Sequence, residues 1–247
     1  MKFISLREIA GYLTQMITIE NYRSISSMNS PIILACQGRS GSTTLMRILN
    51  SVSGCNICGE NWNMIGSLLD FYDNMKKTTL QPGYMREYDG NSFCAWYNVF
   101  DPDAVTEDVK KLMRAVFESE RFEHWGFKEI RFGLEDYESM ETRLNNFAEL
   151  FPSVKIVFLV RKDVESHVRS GWWADDKEES RKILNDQLKN FSKYSEAYPH
   201  RSYMLSMENM LNLDDRFWGL SGFLGMIFEE GKISEILRNK VDYEVKR

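Results

Sequence analysis

Two stretches of the chain are apolar with little alternation: Ile32 to Cys36 in "NSPIILACQG" and residues 154–160 in "VKIVFLV". A strand without a polar residue at every second position suits the middle of a parallel sheet covered on both faces. Three shorter segments, "CNIC", "HWGFKEIRF" and "RSYMLSM", read as further strands. Between them the apolar positions fall at helical spacing. "STTLMRILNSV" carries an inward stripe of Leu45, Ile48 and Leu49. "TEDVKKLMRAVFESE" reads as a helix capped by Thr106, and "YESMETRLNNFAELF" as one stopped at Pro152. "DVESHVRSGWW" and "SRKILNDQLKNFSKYSEAY" also read as helices, whereas residues 78–104 look loop-like. Strands alternating with helices predict a three-layer α/β fold with a mostly parallel central sheet. No repeat or Pro/Gly-rich linker divides the chain. The expectation is one domain over residues 1–247, with an N-terminal helical extension at 1–28 and a helical tail at 226–247.

Composition narrows the function classes. The hydrophobic fraction of 43% is ample for a packed core. The 31 basic and 36 acidic residues are interspersed and give a net charge of −5, which argues against a surface built for nucleic acid. No run approaches the roughly 20 apolar residues of a membrane span, and Arg7 and Glu8 interrupt the place of a signal peptide's apolar stretch. A cytoplasmic protein is expected. Cys55 and Cys58 form one C-x-x-C pair without a second pair or nearby histidine, so no metal site is expected. All four cysteines, with Cys36 and Cys94, read as free thiols.

The chemistry concentrates after the first buried strand. Gly38-Arg39-Ser40-Gly41-Ser42-Thr43-Thr44 joins that strand to a helix, the layout of a phosphate-binding loop. It lacks the lysine and the spacing of the nucleotide-hydrolysing loop. What remains is a turn whose amides and hydroxyls face an anion at a helix N-terminus, with Arg39 as a permanently charged fork. Arg161 stands at the end of the second buried strand, and Ser170 follows nine positions later on the predicted helix. In an open parallel sheet ligands gather at the C-terminal strand ends. Arg161 and Ser170 could there hold a second phosphate.

Together these pieces resemble the sulfotransferases that use 3′-phosphoadenylyl sulfate (PAPS) as donor. "RSGSTTL" (39–45) is similar to their 5′-phosphosulfate loop, Arg161 with Ser170 to their 3′-phosphate motif, and "RSYMLSMENML…FLG" to a late segment in which Glu208 occupies the acidic position. The resemblance spans about residues 31 to 225. It implies a P-loop-like fold, donor contacts from Arg39, Ser40, Gly41, Ser42, Thr43, Thr44, Arg161 and Ser170, PAP as product, and no metal.

Sulfuryl transfer, like phosphoryl transfer, asks for a cation at the leaving oxygen, a phosphate cradle and a base at the acceptor hydroxyl. Arg39 is the expected cation. Glu60 in "NICGENW" is the expected base, since "CGE" resembles the context of the base in protein-tyrosine sulfotransferases; a helix-capping role is the alternative. His124 and His167 are runners-up. Lys128 in "GFKEIRF" resembles a lysine near the transferring group in the same enzymes, although Glu129 and Arg131 beside it fit an exposed strand edge equally. Trp62, Trp96, Trp172 and Trp173 are candidates for stacking on an acceptor ring, with core packing the competing role. The nine-residue Arg161–Ser170 spacing resembles bacterial carbohydrate sulfotransferases, so a glycan or small-molecule hydroxyl is the expected acceptor. Tyrosyl or other alcohol acceptors, a small-molecule kinase and a non-catalytic nucleotide-binding protein are the alternatives. The sequence leaves the oligomeric state open.

Overall fold

A computed structural model describes residues 30–79 and 100–239. The expected extension at 1–28, most of the loop at 80–99, the tail beyond Asn239, Cys94 and Trp96 lie outside the described residues, as does the side chain of Trp172. Five strands, β1 (Ser30–Cys36), β2 (Cys55–Cys58), β3 (His124–Glu129), β4 (Lys155–Val160) and β5 (Ser202–Ser206), form one sheet in the order β2-β3-β1-β4-β5. Every neighbouring pair is parallel. Nine α-helices are described: α1 (Ser42–Asn50), α2 (Met64–Thr79), α3 (Pro102–Val116), α4 (Tyr137–Leu150), α5 (Val164–His167), α6 (Lys177–Ala197), α7 (Met207–Asn212), α8 (Asp215–Leu224) and α9 (Glu230–Arg238).

The lack of alternation in β1 has a direct cause. Successive side chains of a strand point to opposite faces, and both faces of this strand are covered. Ile33 and Ala35, with Trp125, Phe127 and Phe158, pack against Leu69 of α2, Met113 of α3, Phe147 of α4 and Phe191 of α6. Ile32, Leu34 and Cys36, with Val157 and Leu159, pack against Leu45 and Ile48 of α1, Met210 of α7, Phe217 of α8 and Ile233 of α9. Each fully buried Leu, Ile or Phe contributes about 1.5–3 kcal/mol, so a polar residue between Ile32 and Cys36 would be costly. The three-layer α/β fold with a parallel sheet is therefore present.

Some local expectations are corrected. α3 starts at Pro102, not after Thr106: the Asp101 carboxylate accepts from the Asp103 and Ala104 amides at 3.0 and 3.3 Å, and proline suits the first helical position. Residues 102–104 are accordingly helical. The segment after β4 is not one helix. α5 is a single turn, the chain bends through Ser170, and Gly171–Ala174 form a 3-10 turn before α6.

Candidate active site at the C-terminal edge of the sheet

In an all-parallel sheet every strand ends on the same edge. That edge collects the loop after β1, Glu60 after β2, Lys128 within β3, Arg161 after β4 and Glu208 just after β5. β1 lies between β3 and β4, so the edge opens beside its end, where the strand order reverses.

The β1–α1 loop has an unusual backbone. Arg39 and Gly41 have φ of 66° and 82°, in the left-handed region. Gly41 is the N-cap of α1, and having no side chain it makes no cap hydrogen bond. The first-turn amides of α1 thus keep the open, positively polarised end that binds anions. Ser40 is buried, and its hydroxyl donates to the Gln37 carbonyl at 2.6 Å. Ser42 is buried too, whereas Thr43 and Thr44 are half-buried and Arg39 is exposed.

Tertiary hydrogen bonds fix this loop to the β4–α5 segment. The Gln37 side chain donates to the Leu184 carbonyl at 2.8 Å and accepts from the Arg161 amide at 3.1 Å. The buried Gly38 carbonyl accepts twice, from Trp173 Nε1–H at 2.9 Å and from His167 Nε2 at 2.6 Å. A carbonyl can only accept, so Nε2 of His167 carries the hydrogen. The Ser40 amide turns back onto the Gln37 carbonyl at 3.3 Å, which tightens the turn before Gly41. Gly171, at φ 62°, lies against Arg39: a Cβ there would sit 3.1 Å from Arg39 Nε.

The Arg161 side chain pairs with a different serine from the one the spacing predicts. The Arg161 guanidinium bonds the hydroxyl of Ser166, on α5, and Ser170 lies beyond α5 with its amide on the His167 carbonyl at 2.9 Å. Ser170 is followed by the glycine that packs on Arg39. Glu208 anchors the loop from below, accepting from the Lys162 amide at 3.1 Å and the Asp163 amide at 3.2 Å. Burial pushes its carboxyl up, but these amides together hold it below the usual carboxylate value.

On the other side of β1, Lys128 Nζ donates to Glu60 Oε1 at 2.7 Å, with the lysine side chain only 11% exposed and the glutamate 32%. Lys128 is thus no exposed strand-edge charge. Arg131 lies 4.0 Å from Glu60 Oε2 and donates to Glu129 Oε1 at 2.7 Å. The same Glu129 oxygen accepts the amides of Ile130 and Arg131, and Oε2 is buried without a hydrogen bond among the described residues. Between the two halves sits Cys36, whose thiol is pushed up to about 12 by burial and close to which Ser42, Lys128 and Glu60 all act. A thiol so hard to ionise is no nucleophile.

The histidine alternatives fare poorly as bases. His124 begins β3, paired with Ser30 and Cys55, at the opposite edge of the sheet. His167 is fully buried with its Nε2–H committed to Gly38. Burial holds it below the ordinary histidine value, reinforced by the Arg161 charge and opposed by the Gly38 bond. Trp173 is likewise committed, buried and bonded to the loop, whereas Trp62 is 88% exposed beside Glu60. Cys36, Cys55 and Cys58 are free thiols, and among the described residues no cluster of His, Cys, Asp or Glu could hold a metal ion. No described helix is long and apolar enough to cross a membrane. Sequence reasoning missed Gln37, Ser166 and the Gly38 clamp. Only Gln37 carried a local signal, as a lone polar residue closing an apolar strand.

In fold the chain is similar to the sulfotransferase domain from the curacin biosynthetic pathway, with a TM-score of 0.50 at 15% identity over 85% of this chain and 78% of that one. A sulfotransferase from Alicyclobacillus acidocaldarius aligns with a TM-score of 0.42 at 14% identity, over 83% of this chain and 88% of that one. Curated proteins give no match in sequence. A profile of the sulfotransferase family, however, matches residues 31–217, from β1 into α8 and so across the whole edge described above. The chain belongs to the sulfotransferase family, and its chemistry is sulfuryl transfer.

Proposed function

We propose that the chain transfers a sulfuryl group from PAPS to a hydroxyl of a carbohydrate acceptor, with Glu60 as general base and 3′-phosphoadenosine 5′-phosphate (PAP) as product. The observation that carries the donor assignment is the joining of two anion-seeking segments. The uncapped N-terminus of α1 and the Arg161 strand end share Gln37, and the Gly38 clamp and Gly171 hold the loop of Arg39 against the chain at Ser170. The residues fit such a donor: Gly41 takes the left-handed turn and seats tightly on α7, where a Cβ would meet Met210 Cε at 3.0 Å, leaving the α1 N-terminus without a side-chain cap, and Arg39 and Arg161 supply charge at either end. Bound there, the donor supplies the sulfuryl group and a phosphate as leaving group.

The chain's own residues then divide the work. Arg39 and the amides of residues 41–43 offset charge on the leaving oxygen, those of Ser40 and Thr44 being given to the carbonyls of Gln37 and Gly41. Arg161 and Ser170 hold the 3′-phosphate, with Ser166 orienting the arginine. Glu60 takes the acceptor's proton as its oxygen bonds to sulfur and the bond from sulfur to the leaving phosphate breaks. Lys128, bonded to Oε1, keeps that carboxylate aimed and adds positive charge between base and cradle. The carbohydrate class rests on the resemblance of the nine-residue Arg161–Ser170 spacing to that of bacterial carbohydrate sulfotransferases.

The test has two parts. PAP raises the melting temperature as its concentration rises, while ATP with magnesium does not; the reverse outcome overturns the donor assignment. Glu60→Gln lowers kcat about 10²- to 10⁴-fold, the range of general-base catalysis, with PAP affinity unchanged. Unchanged turnover would remove Glu60 from the role of base.

A further inference from the structure

Trp62 stands out on the described surface. Its indole is 88% exposed, two residues after Glu60. It is held outward by two successive non-glycine residues in the left-handed region, Trp62 at φ 55° and Asn63 at φ 63°. Such conformations are strained, and persist where the surroundings enforce them. The enforcement is visible: Asn61 Oδ1 accepts the Ile65 amide at 3.3 Å, the Asn63 carbonyl accepts the Ser67 amide at 2.9 Å, and a Cβ on Gly66 would fall 2.1 Å from Asn63 Oδ1. A strained turn that presents a large apolar ring to water stabilises nothing by folding alone.

One side of the ring is already engaged. The Arg131 guanidinium lies 5.6 Å from its centroid, and Glu129 holds that guanidinium at 2.7 Å. The same guanidinium stands 4.0 Å from Glu60 Oε2. Arg131, anchored on the buried Glu129, therefore lies within reach of both the indole and the glutamate. A ring resting on the open side of Trp62 would carry its hydroxyls at a set distance from Glu60.

We propose that the open face of Trp62, held beside Glu60 by Arg131, is the platform on which the sugar ring of the acceptor stacks. The inference rests on the proposed carbohydrate acceptor and Glu60 base, and names the residues that choose among acceptors. The C–H face of a pyranose matches a flat apolar indole, and the polar rim of the sugar meets the Arg131–Glu60 pair. Arg131 acts here as a positioning residue.

The test uses the whole chain with PAP bound and a panel of methyl pyranosides, with N-acetyltyrosine amide as the competing acceptor. At least one pyranoside quenches tryptophan fluorescence, and that quenching disappears in Trp62→Phe because the reporting indole is gone. In turnover with PAPS, Trp62→Ala raises the acceptor KM about tenfold or more, and Trp62→Phe restores it to within about threefold, as loss and return of an aromatic face require. Arg131→Met raises KM and also lowers kcat, since both the platform and the glutamate lose their tether. Quenching and KM unchanged in Trp62→Ala would overturn the platform, and so would quenching by the tyrosine derivative alone or by no pyranoside. The two readings fail separately. Glu60→Gln with full turnover removes the base while Trp62-dependent quenching persists.

Discussion

The Gly38 carbonyl offers a quantitative test of how the donor loop is held. It is buried and takes two hydrogen bonds, from Trp173 Nε1–H at 2.9 Å and His167 Nε2–H at 2.6 Å. Trp173→Phe removes the first and keeps most of the ring volume, and the carbonyl retains its second partner. The cost is then near that of one ordinary hydrogen bond, about 1 kcal/mol. His167→Leu by the same reasoning costs about 1 kcal/mol beyond any repacking. The double variant is different in kind, because it strands a buried acceptor with no partner. That desolvation adds about 1–3 kcal/mol on top of the two single losses. Urea unfolding of the four proteins, followed by circular dichroism, gives the coupling energy of the cycle. A value of at least about 1 kcal/mol is expected. Additivity within about 0.5 kcal/mol would mean that water or a rearranged loop satisfies the carbonyl, and the clamp would not be what fixes the loop.

The pH dependence of stability should carry the mark of His167. Its folded value is lowered by burial, so the unfolded chain binds a proton more readily. Its contribution is present above about pH 6.5, the unfolded histidine value, and is lost as pH falls below it. Melting temperatures between pH 7.5 and 5 should fall more for the native protein than for His167→Leu, and parallel curves would contradict this. Glu208 acts at lower pH: its folded value is depressed, so its contribution is present above about pH 4.3 and fades as the carboxylate protonates below it. Glu208→Gln should weaken PAP binding by loosening the loop of Arg161, measured by calorimetry; unchanged affinity would show that the loop stands without it. Gly171→Ala combines a left-handed φ with a contact 3.1 Å from Arg39, so a loss of about 1–2 kcal/mol is expected in thermal melts. A fully stable variant with native PAP affinity would show that Gly171 and Arg39 are not packed as described.

What the chain's pattern reveals depends on how local the cause is. β1 and β4 are legible because a strand covered on both faces admits few polar residues, and the loop after β1 because its small residues follow directly. Glu60 and Lys128 are 68 positions apart, yet each announces itself as a charge, one just after β2 and the other inside β3, and the sheet brings them to 2.7 Å. The clamp on Gly38 is illegible, since its donors lie 129 and 135 residues away and look like ordinary core residues. Ser166 gives no signal because the segment after β4 reads as one continuous helix that points to Ser170, about two turns beyond Arg161, whereas α5 ends at His167. Thr106 reads as a cap because it precedes acidic residues, but Asp101 with Pro102 starts the helix earlier and its carboxylate takes the first amides.

Gln37 holds two loops with one side chain. One side-chain amide spans the ends of β1 and β4 and reaches into α6, so the two loops cannot drift apart without breaking buried bonds. A ligand touching both meets a gap whose width was set during folding, and little chain entropy remains to be surrendered on docking. Encounter, and not rearrangement of these two loops, would then limit how fast such a ligand is captured.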